Sequence, residues 1–407
     1  MRLGGVISCA ETLCPHREYT REFQESSGKQ RVSADTPGGR LTSGGRREDV
    51  ATGRCCKRLF DEEAEGMERR IRLIQYGLGA MGSLMVRLAA NREGLEHVGA
   101  VSASGRHSGR DLGEVCGLGK RLGVTITPSL EQALQGTTAD VMLHATVSTM
   151  AEVMPEILPG IQAGLNVISL AEELSYPWER SPDQSSQLDR AARDRGVTVL
   201  GTGVNPGFMM DLLPLNLSGI CASVKAIRVR RVTDFSVYGQ SVMEHIGANL
   251  TPGEFEDGLR NGRVVTHVGL PESIQMVAKG LGWKLGQLTE ERHPLVSPSR
   301  RLAEGITVEP GRVCGFRQKA WGQAKTNTIE LEIFGIILPD PSEDGVTPGT
   351  WVEIEGDPGM SVAITGGISN EGGLATAAHA VNAIPLVVDA NPGLLTVRKL
   401  PVASCFI

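Results

Sequence analysis

The chain has 407 residues, of which 40% are hydrophobic and 22% charged, and a formal net charge of -6. It is long enough for two domains with a sizeable core. Its acidic balance argues against a nucleic-acid partner, and no apolar run reaches membrane-spanning length, which argues against a membrane protein. The eight cysteines show no Cys-x-x-Cys spacing and no His at zinc-ligand spacing. They read as free thiols in a reducing compartment, so a cytoplasmic protein without a metal is expected.

Residues 1–67 are rich in Arg, Ser, Gly and Glu and have almost nothing to bury. They read as a disordered tail. An organelle-targeting role stays open, although Glu18, Glu22, Glu25, Glu48 and Asp49 are unusual for a transit peptide.

Folding is expected to begin near residue 68. "IRLIQY" is short, apolar and β-rich, so a buried strand is predicted. The glycine loop 77–82 follows, and "GSLMVRLAANREG" then has helical periodicity, with Leu84, Leu88 and Met85 on the predicted buried face and Gly94 as its stop. "HVGAVSAS", "ADVMLHAT", "LNVISLA" and "VTVLGTG" read as further strands. Between them, "TMAEVMPEILPGIQAG" is a helix expected to break or bend near Pro155 and Pro159, and "SSQLDRAARDRG" is a second helix. Strands alternating with helices predict an α/β fold with a doubly wound parallel sheet, a Rossmann domain over residues 68–206.

After "GTGVNPGF" the pattern changes. "VKAIRVRRVTDFS" is a long alternating strand, "TPGEFEDGLRNG" a capped helix and "PESIQMVAKGLG" another helix. "GITVEPG", "TIELEIFGIIL" and "GTWVEIEG" read as strands of an open sheet with one solvated face. Residues 207–371 therefore form a second, α+β domain, and a helix near 372–390 packs back on the first.

The loop Gly77-Leu78-Gly79-Ala80-Met81-Gly82 has Gly-x-Gly-x-x-Gly spacing between a predicted strand and a predicted helix. Gly77 allows the tight turn, Gly79 lets a pyrophosphate approach the backbone, and Gly82 permits close strand–helix packing. The helix N-terminus offers free N–H groups to the phosphates. About twenty residues on, an acid would hold the 2′-hydroxyl of NAD. Here Ser102, Ser104 and Arg106 occupy that stretch, with no acid before Asp111. They suit a 2′-phosphate, so NADP(H) is preferred over NAD(H). Thr146, at the end of its strand, is a further candidate cofactor contact.

Glu172 and Glu173 lie just past a predicted parallel strand, at the edge where open α/β sheets bind ligands. A carboxylate there suits general-base work or stabilisation of a developing cation. On an extended backbone the two cannot both face one cleft, so one is catalytic and the other structural. Asn205, held extended by Pro206, points to the same edge. Alternation puts Arg228 and Arg230 on one strand face and Arg231 on the other.

Together, "IQYGLGAMGS", "RDLGEVCGLGKRLGV", "DVMLHAT", "VISLAEELSYP", "VTVLGTGVNPGF", "HVGLPESI" and "VEIEG" resemble the 2,4-diaminopentanoate dehydrogenases and related native amine dehydrogenases, over residues 68–402. The resemblance implies reversible oxidative deamination of an amine with NAD(P), a dihydrodipicolinate-reductase-like architecture and a homodimer formed through the second domain. It implies an essential glutamate in "AEEL", and spacing to the "NPG" asparagine favours Glu173, with Glu172 as the alternative. It implies substrate contacts from Asn205, Arg231 and His267. Where amino-acid-type members carry a histidine after the "LE" of a late strand, this chain has Ile333 and Phe334. A less polar site follows, since an unpaired buried carboxylate is costly. Phe208, Met209 and Met210 are expected to add apolar lining.

The expected reaction is reductive amination of a small ketone or aldehyde by ammonia, and its reverse. The alternatives are 2,4-diaminopentanoate dehydrogenase itself, an imine or semialdehyde reductase that does not use ammonia, and a non-catalytic NADP-binding protein.

Overall fold

The computed structural model describes residues 70–369 and 371–406, so the tail expected over 1–67 lies outside the described residues. The first half alternates strand and helix as the sequence pattern predicts. β1 (Ile71–Tyr76) runs into α1 (Ala80–Ala89). After it come β2 (Leu95–Val101), α2 (Leu112–Val115), β3 (Ile126–Thr127), α3 (Leu130–Ala133), β4 (Val141–His144), α4 (Met150–Gln162), β5 (Asn166–Ser169), α5 (Pro182–Arg195) and β6 (Thr198–Gly201). Apolar runs buried on both faces favour parallel pairing. Among the described residues the sheet has seven strands, and its first six follow the order 3-2-1-4-5-6, so the direction of winding reverses between β1 and β4.

Two local readings are corrected. α4 is one uninterrupted helix containing Pro155 and Pro159. The two prolines are one turn apart and both exposed, so the carbonyls they leave unbonded face water. In α1 the deeply buried residues are Met85, Val86 and Ala89, with Leu84 and Leu88 only partly buried. The helix is covered on two sides, by the sheet and by a helix from the end of the chain, which shifts its buried face.

The second half begins with α6 (Leu212–Ser218) and β7 (Ser223–Asp234), then α7 (Gln240–His245), α8 (Pro252–Asn261) and α9 (Leu270–Gly280). α8 starts with a full capping box between Thr251 and Glu254 and a proline in its first turn. β8 (Gln287–Val296), β9 (Arg301–Ala303), β10 (Ile306–Val308), β11 (Val313–Ala324) and β12 (Asn327–Ile336) follow. Then come α10 (Pro341–Asp344), β13 (Gly349–Asp357) and β14 (Met360–Ile364). β7 pairs parallel with β12 and antiparallel with β13, in a mixed six-stranded sheet ordered β14-β13-β7-β12-β11-β8. One face packs on Phe255, Ile274 and Val277. The other carries cross-strand ion pairs such as Lys319–Glu330 at 2.7 Å and Arg317–Glu332 at 2.6 Å. β11 gave no strand signal, because Gly315, Gln318 and Gly322 break its alternation.

α11 (Leu374–Asn382) and α12 (Ile384–Val388) return to the first half, where Ala377, Ala380 and Val381 pack with Met85 and Ala89. β15 (Gly393–Leu395) then adds to the edge of the parallel sheet beside β6. α9 serves both halves: Ile274 and Val277 belong to the core of the second sheet, and Met276 to the core against β1 and α11. Among the described residues no helix is long and apolar enough to cross a membrane.

Phe255 is fully buried at the centre of the second core, whereas Ile220 is 72% exposed. Phe255→Ala is expected to destabilise the protein by about 3–5 kcal/mol and Ile220→Ala by less than about 0.5 kcal/mol, measured by denaturant unfolding.

Candidate active site

The glycine loop lies where the winding reverses. Gly77 has φ +92°, and a Cβ there would collide with the Ala145 carbonyl and Thr146. A Cβ at Gly82 would collide with the Gly77 carbonyl oxygen, whereas one at Gly79 would meet nothing within 4 Å. The loop is thus tight where it packs and open at Gly79, where the backbone caps α1 without a side-chain hydrogen bond. Ala80 and Met81 begin that helix, behind Leu78, with their N–H groups free for an anion. This cradle fits a dinucleotide pyrophosphate.

Beyond β2 the chain turns sharply, with the Gly105 N–H donating to the Ser102 carbonyl at 2.8 Å. Ser102 and Ser104 hydroxyls lie 3.4 Å apart, and Arg106 is exposed. The first acid after this turn, Asp111, is already committed: its carboxylate accepts the N–H groups of Gly113, Glu114, Leu122 and Gly123. Those bonds hold it below the usual carboxylate range against the opposing effect of burial.

A cavity of about 630 Å³ opens between the parallel sheet edge and the second sheet. Met81, Thr146, Glu172, Asn205, Arg231, His267 and Ile333 all line it. Thr146 also bonds His144 Nε2 at 2.7 Å; that ring is fully buried, with Nδ1 2.9 Å from Ser169 Oγ and Nε2 2.7 Å from Glu156.

Glu172 and Glu173 occupy a 3₁₀ turn, Glu172–Ser175, rather than the extended backbone expected. The turn separates them. Glu173, favoured from spacing, does not line the cavity. Its Oε2 accepts the Met150 N–H at 2.7 Å, capping the start of α4, and its Oε1 accepts from Arg180 Nη1 at 3.2 Å. Glu172 faces the cavity. Burial, with repulsion from Glu173 and Glu272 added, pushes its carboxyl up to about 7 against a hydrogen bond from Ser148.

Arg231 is only 2% exposed. Its donors go to the Thr350 hydroxyl at 2.8 Å, the Ile368 carbonyl at 3.2 Å and, with the Asn205 amide oriented to satisfy both its atoms, the Asn205 oxygen at 3.0 Å. Burial lowers its pKa. In register beside it stand Ile333 on β12 and Thr350 on β13. Phe334 points to the other face, under Arg230 and Arg317. Burial pushes His267 down to about 4, so its ring is neutral near pH 7.

Phe208, Met209 and Met210 do not line the cavity, which corrects their expected role. After Gly207 the chain turns inward, with the Met209 N–H on the Val204 carbonyl at 2.9 Å. Met209 and Met210 enter the second core, and Phe208 packs on His379. The apolar lining comes instead from Leu170, Val242, Ile246, Val265 and Ile333.

Residues 208–407 match the family model of the 2,4-diaminopentanoate dehydrogenase C-terminal domain, and residues 71–168 that of the N-terminus of dihydrodipicolinate reductase. The chain is 35% identical over 336 residues to 2,4-diaminopentanoate dehydrogenase of Acetoanaerobium sticklandii, covering 82% of this chain and 94% of that protein. It belongs to the 2,4-diaminopentanoate dehydrogenase family. It is also 27% identical over 360 residues to an amine dehydrogenase of Streptomyces virginiae, covering 81% of this chain and 96% of that protein. The solved structure of an amine dehydrogenase from Mycobacterium smegmatis superposes with a TM-score of 0.73 at 26% identity, covering 82% and 97% of the two chains. As a member of this family the chain is an oxidoreductase with an NAD(P)-type Rossmann domain.

The sequence reading passed over several polar groups of this dehydrogenase site. The hydroxyls of Thr202, Thr233 and Thr266 are buried, line the cavity and have no partner among the described residues; the same holds for the Nδ1 of His267, which the family resemblance had pointed to. Buried polar atoms normally find partners, so these are ready to bond a ligand. Period-two alternation from Arg231 would have found Thr233. Among the described residues no group of His, Cys, Asp or Glu is placed to hold a metal.

Replacing Glu173 by Ala removes its bond to the first N–H of α4 and leaves the Thr149 cap in place. A loss of about 1 kcal/mol of stability is expected in chemical unfolding, with dinucleotide affinity retained.

Proposed function

We propose that this chain interconverts a small, largely apolar ketone or aldehyde plus ammonia with the corresponding primary amine, with NADP(H) preferred over NAD(H), as a homodimer. The observation that supports it most is Glu172: a desolvated carboxyl on the cavity wall, beside the crevice where a dinucleotide fits. Glu172, rather than Glu173, is then the proton-transfer residue.

With its carboxyl pushed up to about 7, Glu172 is a base matched to neutral pH. It takes a proton from ammonium, freeing the amine to add to the carbonyl carbon. It returns that proton to the carbinolamine hydroxyl, which leaves as water. Its negative charge then stabilises the iminium electrostatically. A dinucleotide held by the glycine loop would supply the hydride that reduces the iminium carbon. Arg231, Asn205 and the unpartnered threonine hydroxyls orient the carbonyl oxygen. Neutral His267 accepts or donates one hydrogen bond without adding charge. Ile333 beside Arg231 leaves room for an apolar substituent. Ser102, Ser104 and Arg106 would hold the 2′-phosphate, with Asp111 already engaged elsewhere.

The test is a panel of small ketones and aldehydes with ammonium and NADPH. Ammonia-dependent NADPH consumption is expected, and its absence across the panel overturns the proposal; turnover that needs no ammonia marks an imine or semialdehyde reductase instead. In Glu172→Gln, kcat should fall at least about 100-fold with NADPH binding kept. Activity needs the ionised carboxylate, so kcat/KM should rise with pH through about 7, rather than through the usual range near 4.3. In Arg106→Ala, KM for NADPH should rise roughly tenfold, the loss of one charge-assisted phosphate contact, with KM for NADH little changed.

A further inference from the structure

Behind Glu172 lies a carboxylate that the reaction above does not use. Glu272 sits in the first turn of α9 and is fully buried. Its Oε1 accepts from Arg180 Nη1 at 3.1 Å, and the same nitrogen donates to Glu173 Oε1 at 3.2 Å. Its Oε2 is buried without a partner among the described residues. α9 begins directly against Glu172: a Cβ at Gly269, the residue capping this helix, would lie 3.3 Å from the Glu172 Cβ. Glu272 follows three residues later. A buried carboxylate with one oxygen left unbonded is costly, and here its charge acts on a neighbouring carboxyl.

We propose that Glu272, held by Arg180, is a positioning residue whose buried charge keeps Glu172 basic enough to take a proton; this rests on reading Glu172 as the proton-transfer group. Burial raises the Glu272 carboxyl and Arg180 works against that rise, so the ion pair at 3.1 Å favours the charged form of Glu272. Other groups also face Glu172. Glu173 on its own turn acts with the same sign, as does Glu152 on α4. Arg231 across the cavity acts with the opposite sign, while His267 is neutral, burial raises Tyr238 so that it is neutral too, and His245 stands at the wall on α7. Glu272 differs from the cavity groups because its charge can be removed without altering the wall that a substrate would touch.

The experiment titrates the full chain labelled with ¹³C at the glutamate carboxyls. The signals of Glu172 and Glu272 are assigned by their loss in Glu172→Gln and Glu272→Gln. In Glu272→Gln the Glu172 midpoint is expected to fall by about half a pH unit or more, and the acid limb of kcat/KM to move with it. Glu272→Asp, which keeps the charge, should restore much of the shift. In Arg180→Gln, a replacement at a half-exposed position, the Glu272 midpoint should rise. A Glu172 midpoint unmoved by Glu272→Gln, or a Glu272 midpoint unmoved by Arg180→Gln, overturns the proposal. Should Glu272→Gln fail to fold, judged by NADPH binding, Arg180→Gln decides. Both readouts are titrations of the protein without substrate. Absent turnover therefore defeats the proposed reaction, and unmoved midpoints defeat the role of Glu272.

Discussion

Between β1 and β4 two parallel strand ends approach so closely that only a glycine fits between them. Gly77 meets this with a positive φ and no side chain, against the carbonyl of Ala145. The strands leave the sheet toward helices on opposite faces, α1 and α4, and a crevice opens above the junction. The free amides of α1, Thr146 and the loop bearing Ser148 are all placed by that one packing constraint. The two adjacent glutamates part company at the same sheet edge. Glu173 is drawn down to cap α4, and the 3₁₀ turn then carries Glu172 into the crevice.

The second sheet supplies the opposite wall. Arg231 stands in register with Ile333 and Thr350 on neighbouring strands, so its position is set by backbone pairing and not by a mobile loop. α9 contributes side chains to both cores, which ties the two walls together close to the glutamates. A cavity with rigid walls suits preorganised electrostatics, since its dipoles are fixed before any charge develops.

Much of this was readable from residue pattern. The β1–glycine–α1 unit was legible because strand period, glycine spacing and helix period agree within a short stretch. The long strand with Arg231, the capping box of α8 and the crevice residue Asn205 were readable for similar local reasons, whereas His267 came only from the family resemblance. The choice between Glu172 and Glu173 was not, because it depends on a 3₁₀ turn that two adjacent acids do not announce. Phe208, Met209 and Met210 are apolar and next to the "NPG" block, yet local sequence cannot say whether a chain turns toward a cavity or a core. β11 escaped because Gly315, Gln318 and Gly322 break its alternation, and buried Gln318 is answered by the backbone of His267, 51 residues away. The continuity of α4 depended on both prolines facing water.

The nucleotide-binding half is not a continuous stretch of chain. β6 stays an open sheet edge until β15 pairs with it, and α1 keeps Met85 and Ala89 uncovered until α11 arrives. On a ribosome, which releases the chain from its N-terminus, the first half therefore waits through nearly two hundred residues of the second before its edge and its apolar helix face are covered. Exposed strand edges invite pairing with other chains. The interval between the synthesis of β6 and that of β15 is thus when a nascent chain is most open to misassembly, and a chaperone would be most useful then.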